Sequence, residues 1–179
     1  GVPLFLKGQR KGWLSAEYAM LPTATHQRVS RDAVLSAQKN YRNIEISRLI
    51  GRCLRTALDL DILGERTIQI DCDVLQADGG TRVAAITAAS LALGVAVERW
   101  LQRGLITKTL IKHSLLALSI GLVNGQICTD LCYEEDAIAA ADFNFVMTAK
   151  GDFIEIQGTA EKEPVSNVAF QEIKNAAEL

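Results

Sequence analysis

Hydrophobic residues recur along this chain with two different periods, which predict helices and strands respectively. From Ile46 onward, apolar residues fall at every third or fourth position, which predicts an amphipathic helix that ends before Gly64. Residues 81–103 are rich in alanine and leucine with no charge between Arg82 and Glu98, which predicts a helix buried on most of its circumference. A last helix is predicted over residues 166–178.

The remaining patterned segments are typical of strands. Residues 12–21 are apolar and aromatic, and residues 66–76 alternate between apolar and polar positions. Residues 23–43 are polar without a pattern and are predicted to be a loop. Glycine-containing turns predict two hairpins, over residues 115–133 with its turn at Asn124-Gly125 and over residues 144–158 with its turn at Lys150-Gly151.

This order of elements predicts the fold class. Strands and helices are segregated and the strands form hairpins, which favours an α+β domain over regular βαβ alternation. A chain of 179 residues with 49% hydrophobic content can bury one core, so we expect a single domain over residues 1–179.

Composition also bears on the cellular compartment. The four cysteines lack the paired spacing of a zinc site, so we expect reduced thiols and a cytoplasmic protein. No uninterrupted apolar run reaches the roughly 18 residues that a membrane span requires. We therefore expect a soluble protein with no membrane partner.

Charge is distributed unevenly along the chain. Residues 1–55 contain 10 Lys and Arg against 3 Asp and Glu, whereas the remainder contains 9 against 18. A basic segment joined to an acidic one suits a polyanion that is led to a carboxylate-rich site, although charges scattered over a solvated surface give the same count. Arg48, Arg52 and Arg55 share one face of the first predicted helix, as a basic stripe or as an ordinary solvated face.

Two clusters could carry chemistry. In the first, Gly79 and Gly80 precede a helix that begins near Thr81 and Arg82, where backbone N–H groups and a forked cation would hold a phosphate. The same residues also serve simply to begin a helix. In the second, carboxylates at residues 134–136 and 142 could bind a divalent cation or handle protons, or could form an exposed acidic loop.

The carboxylates of Asp136 and Asp142 are six residues apart, so they would not share a face of one continuous helix. We expect a turn to bring them together. The lone histidines His26 and His113 are assigned no catalytic role.

Several segments together resemble the bacterial ribonuclease PH family. The most specific is the twelve-residue block 71–82, and the similarity runs from residue 1 to about residue 164. The family extends further at both ends, so we expect the chain to lack the family's first strands and its extreme C-terminus. The other matching segments are 5–13, 16–22, 45–52, 124–125, 135–136, 142–144 and 157–161.

The resemblance implies a fold and an activity. It implies a ribonuclease PH domain of the ribosomal protein S5 domain 2-like class, with a mixed sheet and packed helices, assembled as a homo-hexamer built from three dimers. It further implies that inorganic phosphate attacks the 3′ end of precursor tRNA or other RNA and releases nucleoside diphosphates. The alternative is a non-catalytic RNA-binding or scaffold subunit of an exosome-like ring, or a truncated product without activity.

Positions that match the family's motifs receive roles by that resemblance. The phosphate-binding residues would be Arg42, Thr81 and Arg82, and Asp136 and Asp142 would be catalytic, binding Mg²⁺ or handling protons. The chain departs from the family at residues 38–43, which contain no glycine, and at Thr23, where the family has arginine. By the same resemblance Arg28 and Arg31 would guide RNA or support assembly, and Arg48 and Arg52 of the basic stripe are further candidate RNA contacts.

Overall fold

The computed structural model describes residues 1–28 and 41–178, and within these ranges six strands form two sheets. The smaller sheet is a parallel pair, β1 (Trp13–Met20) and β2 (Thr67–Val74). The larger sheet is antiparallel with the strand order β4-β3-β5-β6. Its strands are β3 (Leu115–Val123), β4 (Gln126–Thr129), β5 (Ala141–Thr148) and β6 (Phe153–Ala160).

Helices pack against both sheets, which confirms the predicted α+β class. Parallel and antiparallel pairing are both present, but in two separate sheets rather than in a single mixed one. The helices are α1 (Tyr41–Thr56), α2 (Leu60–Leu63), α3 (Thr81–Gln102), α4 (Tyr133–Ile138) and α5 (Asn167–Ala177).

The prediction of one continuous helix from Ile46 to Gly64 was wrong. The backbone N–H of Asp59 donates to the carbonyl of Leu110 at 2.7 Å, so tertiary pairing interrupts the helix. The Asp59 carboxylate then caps α2 by accepting from the N–H groups of Asp61 and Ile62. The predicted loop over 23–43 was wrong at its end, because α1 begins at Tyr41; residues 29–40 lie outside the described residues.

One hydrophobic core joins both sheets. Leu14 of β1, Ile50 of α1, Ile86 of α3 and Val146 of β5 belong to one cluster and are almost completely buried. The expectation of a single domain stays a prediction, and this shared core is the feature that supports it.

Helix α3 is less buried than its composition indicated. Leu91 and Val95 are 67% and 50% exposed, and Ala84, Ala88 and Ala92 lie on exposed positions as well. Among the described residues no element covers this face, which borders an open groove of about 650 Å³ beside β2. The prediction of burial on most of the circumference was therefore wrong.

By length and composition alone α3 could also cross a membrane. The opposite side of α3, including Ile86, Leu93 and Val97, packs into the core that joins both sheets. A core helix of a soluble protein passes the same test, and packing accounts for the apolar residues on this side of α3.

The two predicted hairpin turns are present, but the strand ends differ. Strand β4 stops at Thr129 instead of continuing to residue 133, because Glu135 accepts a hydrogen bond from the N–H of Cys132 and begins α4 there. Strand β5 begins at Ala141, earlier than the predicted residue 144. Asp142 consequently lies on a strand, where its backbone is held by the sheet.

The four cysteines are free thiols, as predicted. Cys53 is buried in the core, and burial raises the pKa of its thiol to about 12. A thiol with such a pKa stays protonated at neutral pH and is a poor nucleophile, so Cys53 serves packing.

Candidate active site

The turn between β2 and α3 is held tightly against the start of α4. Gly79 and Gly80 have φ angles of +71° and +51°, which glycine adopts readily. A side chain at Gly79 would bring its Cβ within 2.2 Å of the carbonyl oxygen of Leu131. The Asp78 carboxylate accepts from the backbone N–H of Tyr133 at 3.0 Å. These contacts place the N-terminus of α3 beside α4.

Thr81 and Arg82 are oriented by residues from three other elements. The buried Tyr18 hydroxyl donates to Thr81 Oγ1 at 2.8 Å, so the hydroxyl proton of Thr81 remains available to a ligand. Arg82 Nη1 donates to Gln157 Oε1 at 2.8 Å and to Glu45 Oε1 at 3.3 Å. A hydroxyl, a cation and a helix N-terminus therefore converge, which is an arrangement that favours an anion.

Asp136 of α4 and Asp142 of β5 line the same small cavity as these groups. The intervening turn brings the two carboxylates together, as their spacing had predicted. Burial raises the pKa of the Asp142 carboxyl above its ordinary value; Asp136 and Glu161 raise it further, and Arg82 opposes the shift. The two aspartates line one cavity, and the negative charge of Asp136 disfavours ionisation of Asp142.

Three cavities meet at Arg42 and Asp136, which line all of them. The inner cavity has a volume of about 110 Å³ and is also lined by Thr81, Arg82 and Asp142. It shares lining residues with an outer cavity of about 670 Å³ on the side of Tyr133 and with a second of about 810 Å³ on the side of β6. The five residues proposed for phosphate and catalysis thus converge on one place.

The two carboxylates suit a magnesium ion whose other ligands are supplied by the substrate. In the described part of the chain no three His, Cys, Asp or Glu residues form a group that could hold a metal. Mg²⁺ is commonly bound through one or two carboxylates together with substrate phosphates, and Asp136 and Asp142 match that requirement.

The candidate RNA contacts do not form one surface. Arg52 is engaged in a two-pronged ion pair with Glu155, with N–O distances of 3.0 and 2.6 Å. Arg55 lies 4.4 Å from the Trp13 ring centre and donates to a β1 carbonyl. Tertiary contacts therefore engage the guanidinium groups of these two members of the predicted stripe.

The other three candidates are placed differently. Arg48 is exposed but lines a separate surface pocket beside β1. Arg28 is exposed just after Gln27, which lines the outer cavity, and Arg31 lies outside the described residues. The RNA-contact role of Arg28, Arg31, Arg48 and Arg52 stays a prediction.

Residue-level reasoning missed several groups that shape the site. Tyr18, Glu45 and Gln157 position Thr81 and Arg82, and all three fall within segments that carried the family resemblance. The sequence analysis included these three residues in the matching segments but assigned them no role at the site. His26, which was assigned no role, lines the outer cavity, and so does Tyr133.

Comparison with known proteins assigns the chain to a family. A family model described as "3′ exoribonuclease family, domain 1" matches residues 4–97, and one described as "3′ exoribonuclease family, domain 2" matches residues 113–178. The chain belongs to the 3′ exoribonuclease family. The first model ends within α3 and the second begins just before β3, although one core joins the two parts.

The chain is also similar to an individually named protein, Ribonuclease PH. The chain is 54% identical over 165 residues to Ribonuclease PH of Exiguobacterium sibiricum, a match that covers 92% of this chain. The chain spans 66% of that protein's length. The resemblance found in the sequence is therefore confirmed.

Two solved structures with a similar fold confirm the architecture. The crystal structure of rice Rrp46 has a TM-score of 0.73 at 16% identity, covering 99% of this chain and 72% of that one. The Archaeoglobus fulgidus exosome with RNA bound to the active site has a TM-score of 0.70 at 19% identity, covering 93% and 66%. At such low identities the similarity concerns the fold alone.

Proposed function

We propose that this protein is a phosphate-dependent 3′-to-5′ exoribonuclease that trims the 3′ ends of precursor tRNA and releases nucleoside diphosphates. The observation that carries the proposal is the convergence of Arg42, Thr81, Arg82, Asp136 and Asp142 on one cavity of about 110 Å³. The 54% identity to a ribonuclease PH supports the same reaction.

The cationic side of the cavity binds the attacking phosphate. An oxygen of inorganic phosphate attacks the phosphorus of the last phosphodiester, and the bond from that phosphorus to the 3′ oxygen of the preceding nucleotide breaks. Arg42 and Arg82 neutralise the crowded phosphate oxygens, and Thr81 donates its hydroxyl proton to one of them. Because hydrogen bonds hold Thr81 and Arg82 in place before binding, these two groups need little reorganisation during the reaction.

The acidic side of the cavity handles the leaving oxygen. The 3′ oxygen must gain a proton to become the hydroxyl end of the shortened RNA. Burial and neighbouring carboxylates raise the pKa of the Asp142 carboxyl, so without a metal it would pass a proton to that oxygen more readily than an exposed aspartate. A Mg²⁺ ion held by Asp136 and Asp142 would, when bound, stabilise negative charge on the phosphate and leaving oxygens.

A non-catalytic scaffold is the second candidate, since the exosome structure shares the fold. A scaffold has no need of an intact phosphate and carboxylate site. Here Thr81 and Arg82 are both held by hydrogen bonds from other elements, and the two aspartates face them. These intact contacts at the site favour an enzyme over a scaffold.

The decisive experiment compares products with and without inorganic phosphate. The protein is incubated with Mg²⁺ and a 3′-extended tRNA precursor, and the released nucleotides are identified by mass. We expect nucleoside diphosphates only when phosphate is present. Nucleoside monophosphates would show hydrolysis instead, and bound but uncut RNA would support the scaffold.

Replacing Arg42 with alanine should impair phosphate use selectively. A charged hydrogen bond contributes about 1.5–3 kcal/mol, so we expect the KM for phosphate to rise about 10- to 100-fold. Arg42 lies on the exposed first turn of α1, so the melting temperature should change little. The measurement is the initial rate as phosphate is varied, at fixed RNA.

The matched control is Arg103→Ala, which removes an exposed arginine at the far end of α3. This control should keep the phosphate dependence of the unmodified protein. If Arg42→Ala also keeps it, Arg42 does not bind the attacking phosphate.

We also propose Mg²⁺ as the metal, a hexamer built from three dimers and a cytoplasmic location. The aspartate pair supports the metal, and the resemblance to ribonuclease PH supports the assembly and location. Light scattering of the purified protein measures the assembly, and a mass other than six chains would contradict the hexamer.

A further inference from the structure

The two cavities that share lining residues on the α4 side differ in size and in lining. The inner cavity, about 110 Å³, contains the phosphate and carboxylate groups and has room for small ions. The outer cavity, about 670 Å³, is in the range of cavities that hold a nucleotide-sized ligand. If phosphate occupies the inner cavity, the base of the nucleotide being removed must lie in one of the two larger cavities beside it.

Two aromatic rings, those of His26 and Tyr133, are among the described lining residues of the outer cavity, and of these only Tyr133 lies on a helix or strand. Tyr133 lines this cavity and its side chain is 60% exposed. Its backbone N–H is held by Asp78 at 3.0 Å, and the hydrogen bond between Glu135 and Cys132 fixes the start of α4. The exposed ring therefore projects from an anchored backbone, and its exposure is not the result of a loose loop.

The position of Tyr133 relative to the carboxylates is set by the helix. Asp136 lies three residues further along α4, on the same face, and both residues line the outer cavity. A ligand resting against the Tyr133 ring is consequently about one helical turn from a carboxylate of the inner cavity.

We propose that Tyr133 is the stacking platform for the base of the 3′-terminal nucleotide, which lies in the outer cavity while its phosphodiester reaches Asp136 and Arg42. Stacking suits an enzyme that removes successive nucleotides, because every base has a flat face and all four can use the same ring. This assignment rests on the proposed function, in that it takes RNA to be the ligand.

The cavity on the β6 side is the competing place for the base. Its described lining includes Arg82, Asp142, Glu161 and Lys162, and it contains no aromatic side chain among those residues. A base placed there would contact charged groups and would not stack. The two placements therefore differ in whether the base stacks on an aromatic ring, and the fluorescence of a suitable base reports that stacking.

The test uses an RNA oligonucleotide ending in 2-aminopurine, a fluorescent base that is quenched when it stacks. Binding is measured without inorganic phosphate, so that no nucleotide is released. Binding to the unmodified protein should quench the terminal base. Tyr133→Leu should remove that quenching and weaken RNA binding about 5- to 100-fold, as expected for the loss of one base–aromatic stack.

Two further variants separate stacking from other effects. Tyr133→Phe retains the ring and should quench like the unmodified protein. Phe5→Leu removes another exposed aromatic ring, 62% exposed and packed edge-on against Trp13, and should leave quenching unchanged. Moving 2-aminopurine several nucleotides upstream should abolish any dependence on Tyr133.

The proposal is overturned if Tyr133→Leu quenches the terminal base as strongly as the unmodified protein, or if Tyr133→Phe loses the quenching. Either result would place the base elsewhere or assign the contact to the hydroxyl. Failure of the proposed function is seen separately, as the absence of phosphate-dependent nucleoside diphosphates, because the fluorescence assay requires no turnover.

Discussion

Replacing Asp142 with asparagine should reduce the rate of phosphorolysis by about 100- to 10,000-fold, the range associated with the loss of a positioned proton donor or base. Asparagine has nearly the same shape but neither carries the proton nor attracts a cation. RNA binding should persist, since the arginines remain and a negative charge near the phosphates is removed. Single-turnover rates and filter binding measure the two effects separately.

The matched control for this variant is Glu134→Gln. Glu134 lies on α4, two residues before Asp136, and is exposed. Its removal changes the local charge by the same amount without altering the inner cavity, so activity should remain near that of the unmodified protein. Unchanged turnover in Asp142→Asn would remove Asp142 from the chemistry.

For Asp142→Asn we expect the stability of the fold, unlike the activity, not to decrease at neutral pH. Since the pKa of Asp142 is raised in the folded state, that state binds the proton more tightly than the unfolded chain does. Stability from this group is therefore greatest at low pH and falls as pH rises from its ordinary pKa through the raised one. Asp142→Asn should have a melting temperature at pH 7 that is equal or higher, with a weaker dependence on pH in that window.

Replacing Gly79 with alanine should destabilise the fold by about 2–5 kcal/mol. One part of this cost is the positive φ angle of +71°, and the other is the approach of the new Cβ to within 2.2 Å of the Leu131 carbonyl oxygen. Because this contact is with backbone, it cannot be relieved by turning a side chain. Urea unfolding measures the change, and activity should fall because the turn positions Thr81.

Gly125→Ala separates these two contributions. Gly125 has a similar φ of +77°, but a Cβ added there meets nothing within 4 Å. We expect it to lose only about 1–2 kcal/mol, the cost of a left-handed conformation. If both variants lose the same amount, close packing of Gly79 against Leu131 does not contribute to stability.

Local pattern was sufficient where an element's own residues decide its conformation. The apolar spacing of α1, the alternation in β2 and the Asn124-Gly125 turn were each predicted correctly in type, because periodicity and permitted φ angles are properties of neighbouring residues. The break near Asp59 was missed, since it depends on a backbone pairing with Leu110, which is remote in the chain.

Family motifs located the site residues before their geometry was known. Thr81, Arg82, Asp136 and Asp142 were all named from the sequence, and the structure brings them to one cavity. The pairing of Arg52 with Glu155 was not predictable, because the glutamate is supplied by β6, more than a hundred residues later.

The sequence by itself therefore determined the family, the types of the main elements and the chemical groups at the site. The tertiary structure alone decided which cations remain available, which aspartate has the raised pKa and which ring faces the cavity. These properties depend on burial and on distances between residues remote in the chain. Hydrophobic periodicity encodes neither, whereas packing of α1, α3 and α4 against the sheets sets both.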